Sequence, residues 1–325
     1  MYRDFWGNLK CFVVDTARYG PSVSISRYKY DISKASGNPN IPALKKMHRA
    51  ILAYLDKKYH FLIEKYNNIP ISSNTFPNKH FTIWCFWWQG IKDSPSMVKV
   101  CIESIIKANP NCNVIILDKY NYSKYVDIPD FIVSKVKSGA ISYTHFSDIL
   151  RFNLLKKHGG VWMDSTILCI NPLQQEYFYS PFFTAKSKEQ VSECVANYRW
   201  TCYLMSGEPQ NIVFNYMSEF YYYYFQNHDS VLHYFLTDYA LELAYENIPY
   251  IRSILDSIPI NNENRSLLTK HLCDEYSSQY SLENLKKGNT AFFKLFWKQK
   301  YVDYSESGAP TVWNYLKNSI AQSNF

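Results

Sequence analysis

This sequence of 325 residues has no apolar run near the roughly 18 residues that a bilayer-spanning helix needs. Its opening, MYRDFWGNLKCF, lacks an apolar core long enough for a secretory signal. The eight cysteines (11, 85, 101, 112, 169, 194, 202 and 273) form no C-x-x-C pair and keep no regular spacing. Several sit in apolar runs, which points to reduced, buried thiols. These absences together lead to the expectation of a cytoplasmic protein. There is no phosphate-loop signature, no G-x-G-x-x-G, no H-E-x-x-H and no G-x-S-x-G. Basic blocks and nucleic-acid motifs are also missing, so no nucleic-acid partner is expected. The chain shows no internal repeat.

What is present describes a globular protein. Hydrophobic residues make up 47% and charged residues 19%, which excludes disorder, and the length suits one large domain or two small ones. The net charge of +7 suits an anionic partner, either a nucleoside diphosphate, a lipid diphosphate or an acidic membrane surface. Aromatics reach 18%, which fits a carbohydrate-handling surface and fits equally a compositional bias towards Tyr, Lys, Asn and Ile.

The chain is organised around Ser142 to Pro172, SYTHFSDILRFNLLKKHGGVWMDSTILCINP. Thr144 is placed to cap a helix, and Phe146, Ile149, Leu150, Asn153 and Leu154 keep a 3.6-residue period. Gly159 and Gly160 stop the helix. Val161, Trp162 and Met163 make a short strand, with Asp164 at its end and Thr166 following at strand period. Ser147, Asp148 and Arg151 share one helix face. Asp164 stands at a strand end, where open α/β sheets bind ligands.

Around this stretch the remaining chain falls into place. Residues 1–75 read as an N-terminal helical element, with an amphipathic basic helix over 43–66 that packs on the main domain or meets a membrane surface. Lys79–Gly90 reads as the first core strand, and Trp87, Gln89 and Gly90 follow at its end. A helix after Asp93-Ser94-Pro95 and a strand over Asn113–Asp118 complete a βαβ unit, with Asp118 as a secondary site candidate. A further strand is expected over Phe178–Ala185 and a polar loop over 186–200. The chain is then expected to be mostly helical from Cys202 to Pro259. The helix Asn211–Gln226 is aromatic all round, so it is either buried or lines an acceptor or lipid surface. Asp238 is a carboxylate in an apolar helical run, which demands a partner or a function. Lys294 and Lys298 lie four apart and share a face if that segment is helical, with Trp297 between them.

The string S-D-I-L-R, the Gly-Gly stop and the W-x-D-x-T strand end resemble the capsular polysaccharide synthesis proteins. These are relatives of glycosyltransferase family 32 that share a donor-site pattern with the large clostridial glucosylating toxins. The resemblance covers roughly residues 76–310. It implies a GT-A-type, Rossmann-like α/β domain with additional helices, a nucleotide-sugar donor and a Mn²⁺ or Mg²⁺ ion. Asp148 and Arg151, with Ser147 beside them, match residues that hold the donor's ribose and sugar. Trp162 and Asp164 match the aromatic and the first aspartate of the D-x-D element, and Trp87 matches a base-stacking tryptophan. Thr166 replaces the second aspartate, so the metal set implied is Asp164 with Thr166. His233, Tyr234 and Asp238 lie in or beside a segment similar to the family's Y-F-x-x-D-Y. Lys294, Trp297 and Lys298 resemble a late lysine-aromatic-lysine segment that would neutralise the donor diphosphate. Asp164 and Asp238 are the candidates for a catalytic role.

The resulting expectation is a nucleotide-sugar-binding half over 76–190 and a helix-rich acceptor-side half over 191–325. The enzyme would move a sugar, from a UDP-sugar foremost, to a hydroxyl of a growing surface glycan with retained configuration. The expected acceptor is a glycan, free or lipid-linked, and the +7 charge suits loose attachment to the inner membrane face. Two other readings stand beside it: a toxin-like protein glycosyltransferase, and a catalytically silent glycan-binding subunit.

Overall fold

The computed structural model describes residues 5–70, 81–190, 192–288 and 290–322, and side chains from residue 12 onward. The expected boundary near 75 and the first residues of the expected strand, Lys79 and His80, lie outside these residues. Three helices come first: α1 (Phe5–Tyr19), α2 (Pro21–Ala35) and α3 (Ile41–Asn67). Asn40 caps α3 by accepting from the Ala43 N–H at 2.8 Å. Leu44, Met47, Ile51, Leu55 and Leu62 recur at helical spacing and are buried. They pack α3 on two later helices, α8 and α9 (ranges below). The apolar face of this basic helix is therefore used inside the protein, and its exposed face carries Lys45, Lys46, Arg49, Lys57 and Lys58.

The sheet follows. Strand β1 (Thr82–Phe86), helix α4 (Ser96–Ala108) and strand β2 (Asn113–Leu117) form the expected parallel βαβ unit. After α5 (Asp130–Lys137) comes α6 (Tyr143–His158), then β3 (Gly160–Met163), which pairs parallel with β1 on its other edge. The chain thus leaves β1 to one side for β2 and to the other for β3, so a topological switch point lies between β1 and β3. β4 (Ile167–Cys169) leads to α7 (Glu176–Tyr179) and β5 (Phe182–Thr184), then to β6 (Leu204–Gly207). The five-stranded order is β2-β1-β3-β6-β5, with β6 antiparallel to both of its neighbours.

Two expectations are corrected here. The strand expected over Phe178–Ala185 is shorter, because the end of a helical turn occupies its first residues. The stretch from Cys202 is not helical at its start. Leu204–Gly207 is a fully buried sheet strand, and its sequence LMSG has neither alternation nor β-branched residues to announce it.

The rest of the chain is helical around α8 (Ile212–Asn227), α9 (Leu236–Asn247) and α10 (Pro249–Ser257). α8 buries Phe214, Phe220, Tyr221, Tyr224 and Phe225 completely, which settles the aromatic helix as core. Short helices α11 (Leu267–His271) and α12 (Leu282–Lys286) precede β7 (Phe292–Lys294), and α13 (Val312–Gln322) closes the described chain. β7 pairs antiparallel with β4, matching Lys294 to Ile167. Lys294 therefore sits in a strand and Lys298 in the turn beyond, so the two do not share a helix face. Among the described residues no helix is long and apolar enough to cross a membrane.

Candidate active site

The site is built on α6 and the strand after it. Ser142, not Thr144, caps α6, its hydroxyl accepting from the His145 N–H at 3.3 Å. Gly159 ends the helix at φ +65°. A Cβ there would lie 2.8 Å from the Gly207 carbonyl oxygen, and one on Gly160 2.7 Å from that of Thr82. Both glycines thus let α6 turn tightly into the sheet and aim β3 at its carboxyl edge. There Ser165 donates to the Phe86 carbonyl at 2.7 Å, tying the end of β3 to the end of β1.

Asp164 lies at that edge and is clamped from both sides. Its Oδ1 accepts from Arg151 Nη2 at 3.1 Å and from Trp162 Nε1 at 2.9 Å. Its Oδ2 accepts from Lys294 Nζ at 2.7 Å. Arg151 also donates to Asp148 Oδ1 at 2.7 Å, and Asp148 Oδ2 accepts from Thr237 at 2.9 Å. Tyr221 closes the chain through a hydrogen bond to Thr237. Arg151 is 3% exposed and lies 5.0 Å from the Trp162 ring centroid. The Asp148–Arg151 pair is therefore part of a buried network and not a solvated helix face. Burial pushes the Asp164 carboxyl up, but the charges of Lys294 and Arg151 and the hydrogen bonds from Lys294 and Trp162 override it and hold it below its ordinary value.

Of the other expected residues, Trp162 supports this aspartate and the rest are held elsewhere or stand apart from it. Trp162 is fully buried, and its one donor is used on Asp164. Ser147 is half-buried on α6 and joins none of the cluster's hydrogen bonds among the described residues. Asp118 is turned back on its own loop, accepting from the N–H groups of Tyr120 and Asn121 at 2.8 and 3.0 Å. Trp84 is the core tryptophan of its run, donating to the Gly159 carbonyl at 3.0 Å.

Other expected residues lie just past the ends of β1 and β7. Trp87 follows β1, half-buried, and meets the exposed Trp297 edge to face at 5.7 Å between centroids. Lys298 lies over the Trp297 ring at 5.5 Å, and Gln89 is exposed beside Trp87. Asp238 stands further along. It accepts from Trp200 Nε1 at 3.2 Å and Cys202 Sγ at 3.7 Å, and no cation reaches it among the described residues. Burial pushes its carboxyl up to about 6, and the Asp148 charge adds to the effect. Thr237 and Tyr221 carry no site role in the sequence reading. Thr237 lay inside the Y-F-x-x-D-Y segment at an unassigned position.

Mn²⁺ or Mg²⁺ was expected on Asp164 and Thr166. Those two oxygens instead share one ammonium, Lys294 Nζ lying 2.7 Å from Asp164 Oδ2 and 2.6 Å from Thr166 Oγ1. Thr166 contributes no charge, and no group of three or more His, Cys, Asp or Glu side chains among the described residues could hold an ion. A hard divalent cation needs several oxygen ligands, so this arrangement does not fit one. Two shallow hollows elsewhere, around Gln174 and Asn261 and around Asp274 and Tyr304, contain none of these residues.

The switch point and the charged cluster beside it define an α/β protein with a candidate site at its sheet edge. The chain belongs to the capsular polysaccharide synthesis protein family, whose sequence model matches residues 33–316. It is similar to the O-glycosyltransferase braB of Annulohypoxylon truncatum, 29% identical over 92 residues. That match covers 26% of this chain and about a fifth (22%) of the relative. A solved structure, the PaToxG glycosyltransferase, aligns over 65% of this chain and 82% of its own, at TM-score 0.40 and 17% identity.

Proposed function

We propose that this protein is a GT-A-type glycosyltransferase that moves a sugar from a nucleoside-diphosphate donor, a UDP-sugar foremost, to a hydroxyl of a growing surface glycan. The observation that carries this reading is Asp164 at the switch point, bonded to Lys294, with Trp87 just past β1 meeting Trp297 just past β7. Flat indole surfaces at the opening suit a base or a sugar face. The ammonium of Lys294 suits the diphosphate. In the reaction the bond from the sugar's anomeric carbon to the phosphate oxygen breaks, and its electron pair stays on the diphosphate. The acceptor oxygen bonds to that carbon, and the hydroxyl proton passes to a base. Asp238 is the candidate base, since burial pushes its carboxyl up to about 6 and no cation among the described residues pairs with it.

Donor turnover by the purified protein tests this reading. A panel of nucleoside-diphosphate sugars is offered with and without a glycan acceptor, and one donor is expected to be turned over. Asp164→Asn keeps the shape and removes the charge, and should lower the rate by about 100-fold or more. Full activity in that variant would remove the notch from the mechanism. Retention, which the resemblance implies, is read from the anomeric coupling in the product.

A second reading has an observation of its own. Thr166 stands where a second carboxylate would, which favours a silent glycan-binding subunit; failure of every donor to turn over, with glycan binding intact, would establish it. The exposed lysine face of α3 supports loose attachment to an acidic membrane. Release of the protein from membranes by high salt is the expected result.

A further inference from the structure

We propose that Lys294 takes the place of a divalent cation, so that this protein holds its diphosphate ligand without a metal. The inference rests on the donor-site reading above. Its ground is the way the notch is filled. Lys294 Nζ lies between Asp164 Oδ2 and Thr166 Oγ1, at 2.7 and 2.6 Å, the two atoms from which an ion would have to be held. The other oxygen of Asp164 already accepts from Arg151 and Trp162. An incoming cation would have to displace one fixed positive charge and stay beside another, with Asp164 as its one carboxylate ligand.

The lysine is also built into place. Its strand pairs with β4 directly after Thr166, and the Leu295 N–H donates to the Thr166 carbonyl at 2.9 Å. The Lys294 N–H donates to the Arg265 carbonyl at 2.9 Å, and its own carbonyl accepts from Thr269 at 2.7 Å. Backbone bonds on both sides therefore position the ammonium, and its side chain keeps 22% exposure. An ammonium carries three N–H donors; two are used here, which leaves one for a phosphate oxygen. Lys294 Nζ also lies 5.4 Å from the Tyr203 ring centroid. As the bond to the sugar breaks and charge gathers on the diphosphate, the Lys294 ammonium stabilises it without giving up a proton.

Calorimetric titration of UDP and GDP into the protein tests the proposal, in EDTA and again in Mn²⁺ or Mg²⁺. The wild type should bind one of them with affinities equal within about twofold in the two buffers. Lys294→Ala should lose about tenfold or more in EDTA and recover part of it in Mn²⁺, because the substitution frees both oxygens for an ion. Binding by the wild type only when metal is present would overturn the inference and leave the donor-site reading standing. Unchanged binding of Lys294→Ala in EDTA would overturn it too. Binding of neither nucleotide under any condition would overturn the donor-site reading itself. A thermal melt of Lys294→Ala checks its fold, and if the variant does not fold, the wild-type comparison decides alone.

Discussion

Asp164 and Asp238 stand on either side of the strip Trp200–Tyr203 and live in opposite surroundings. The Asp164 N–H donates to the Tyr203 carbonyl at 2.8 Å, while Trp200 and Cys202 reach across to Asp238. Asp164 is held by Lys294 and Arg151 and stays ionised. Asp238 meets an indole N–H, two thiols and the repulsion of Asp148, and burial raises its carboxyl to about 6. Two carboxylates at one site with separated titrations can take separate roles, one as a fixed anion and one as a proton acceptor. Cations reached by the chain make the difference, since burial opposes ionisation in both.

The largest effect should come from breaking the clamp. Arg151→Met keeps volume and removes the charge that Asp148 and Asp164 share. Removing one partner of a buried ion pair costs about 3–5 kcal/mol, and urea unfolding should show a loss of that order. A loss under about 1 kcal/mol would mean that the pair behaves as an exposed one.

Next comes the unclamped aspartate. A carboxyl raised from its ordinary value favours the fold below about pH 4, and that favour is lost as pH rises through about 6. Asp238→Asn should therefore raise stability on the order of 1–3 kcal/mol at pH 8 and leave it unchanged at pH 4. Melting curves at the two pH values check this, and an equal shift at both would show that burial does not penalise the Asp238 charge. Its turnover should fall as its stability rises.

The smallest effect belongs to the mouth. Trp297 is 48% exposed, so Trp297→Ala should change stability within about 0.5 kcal/mol. It should weaken nucleotide binding by about three- to tenfold through the lost aromatic face. Unchanged affinity would take the indole out of the site.

The clamp was partly legible in the sequence because its first half is local. Asp148, Arg151, Trp162 and Asp164 lie within one helix, one glycine stop and one strand, and their periods place them together. Lys294 was legible as a charge near an aromatic. Its position was not, because a strand pairing across 130 residues brings it to Asp164, and a helical i,i+4 spacing suggested a different shape. Thr237 and Tyr221 were hidden for a related reason. Each reads as an ordinary helix residue until α8 and α9 pack against α6. β6 was missed because burial on both faces removes the alternation that marks a strand.

Crystals soaked with UDP or GDP test the central claim most directly. The account predicts diphosphate density against Lys294 beside Asp164, with the base against Trp87 and Trp297. Nucleotide density confined to another surface, such as the hollow around Gln174 and Asn261, with the Lys294–Asp164 contact unchanged, would contradict it.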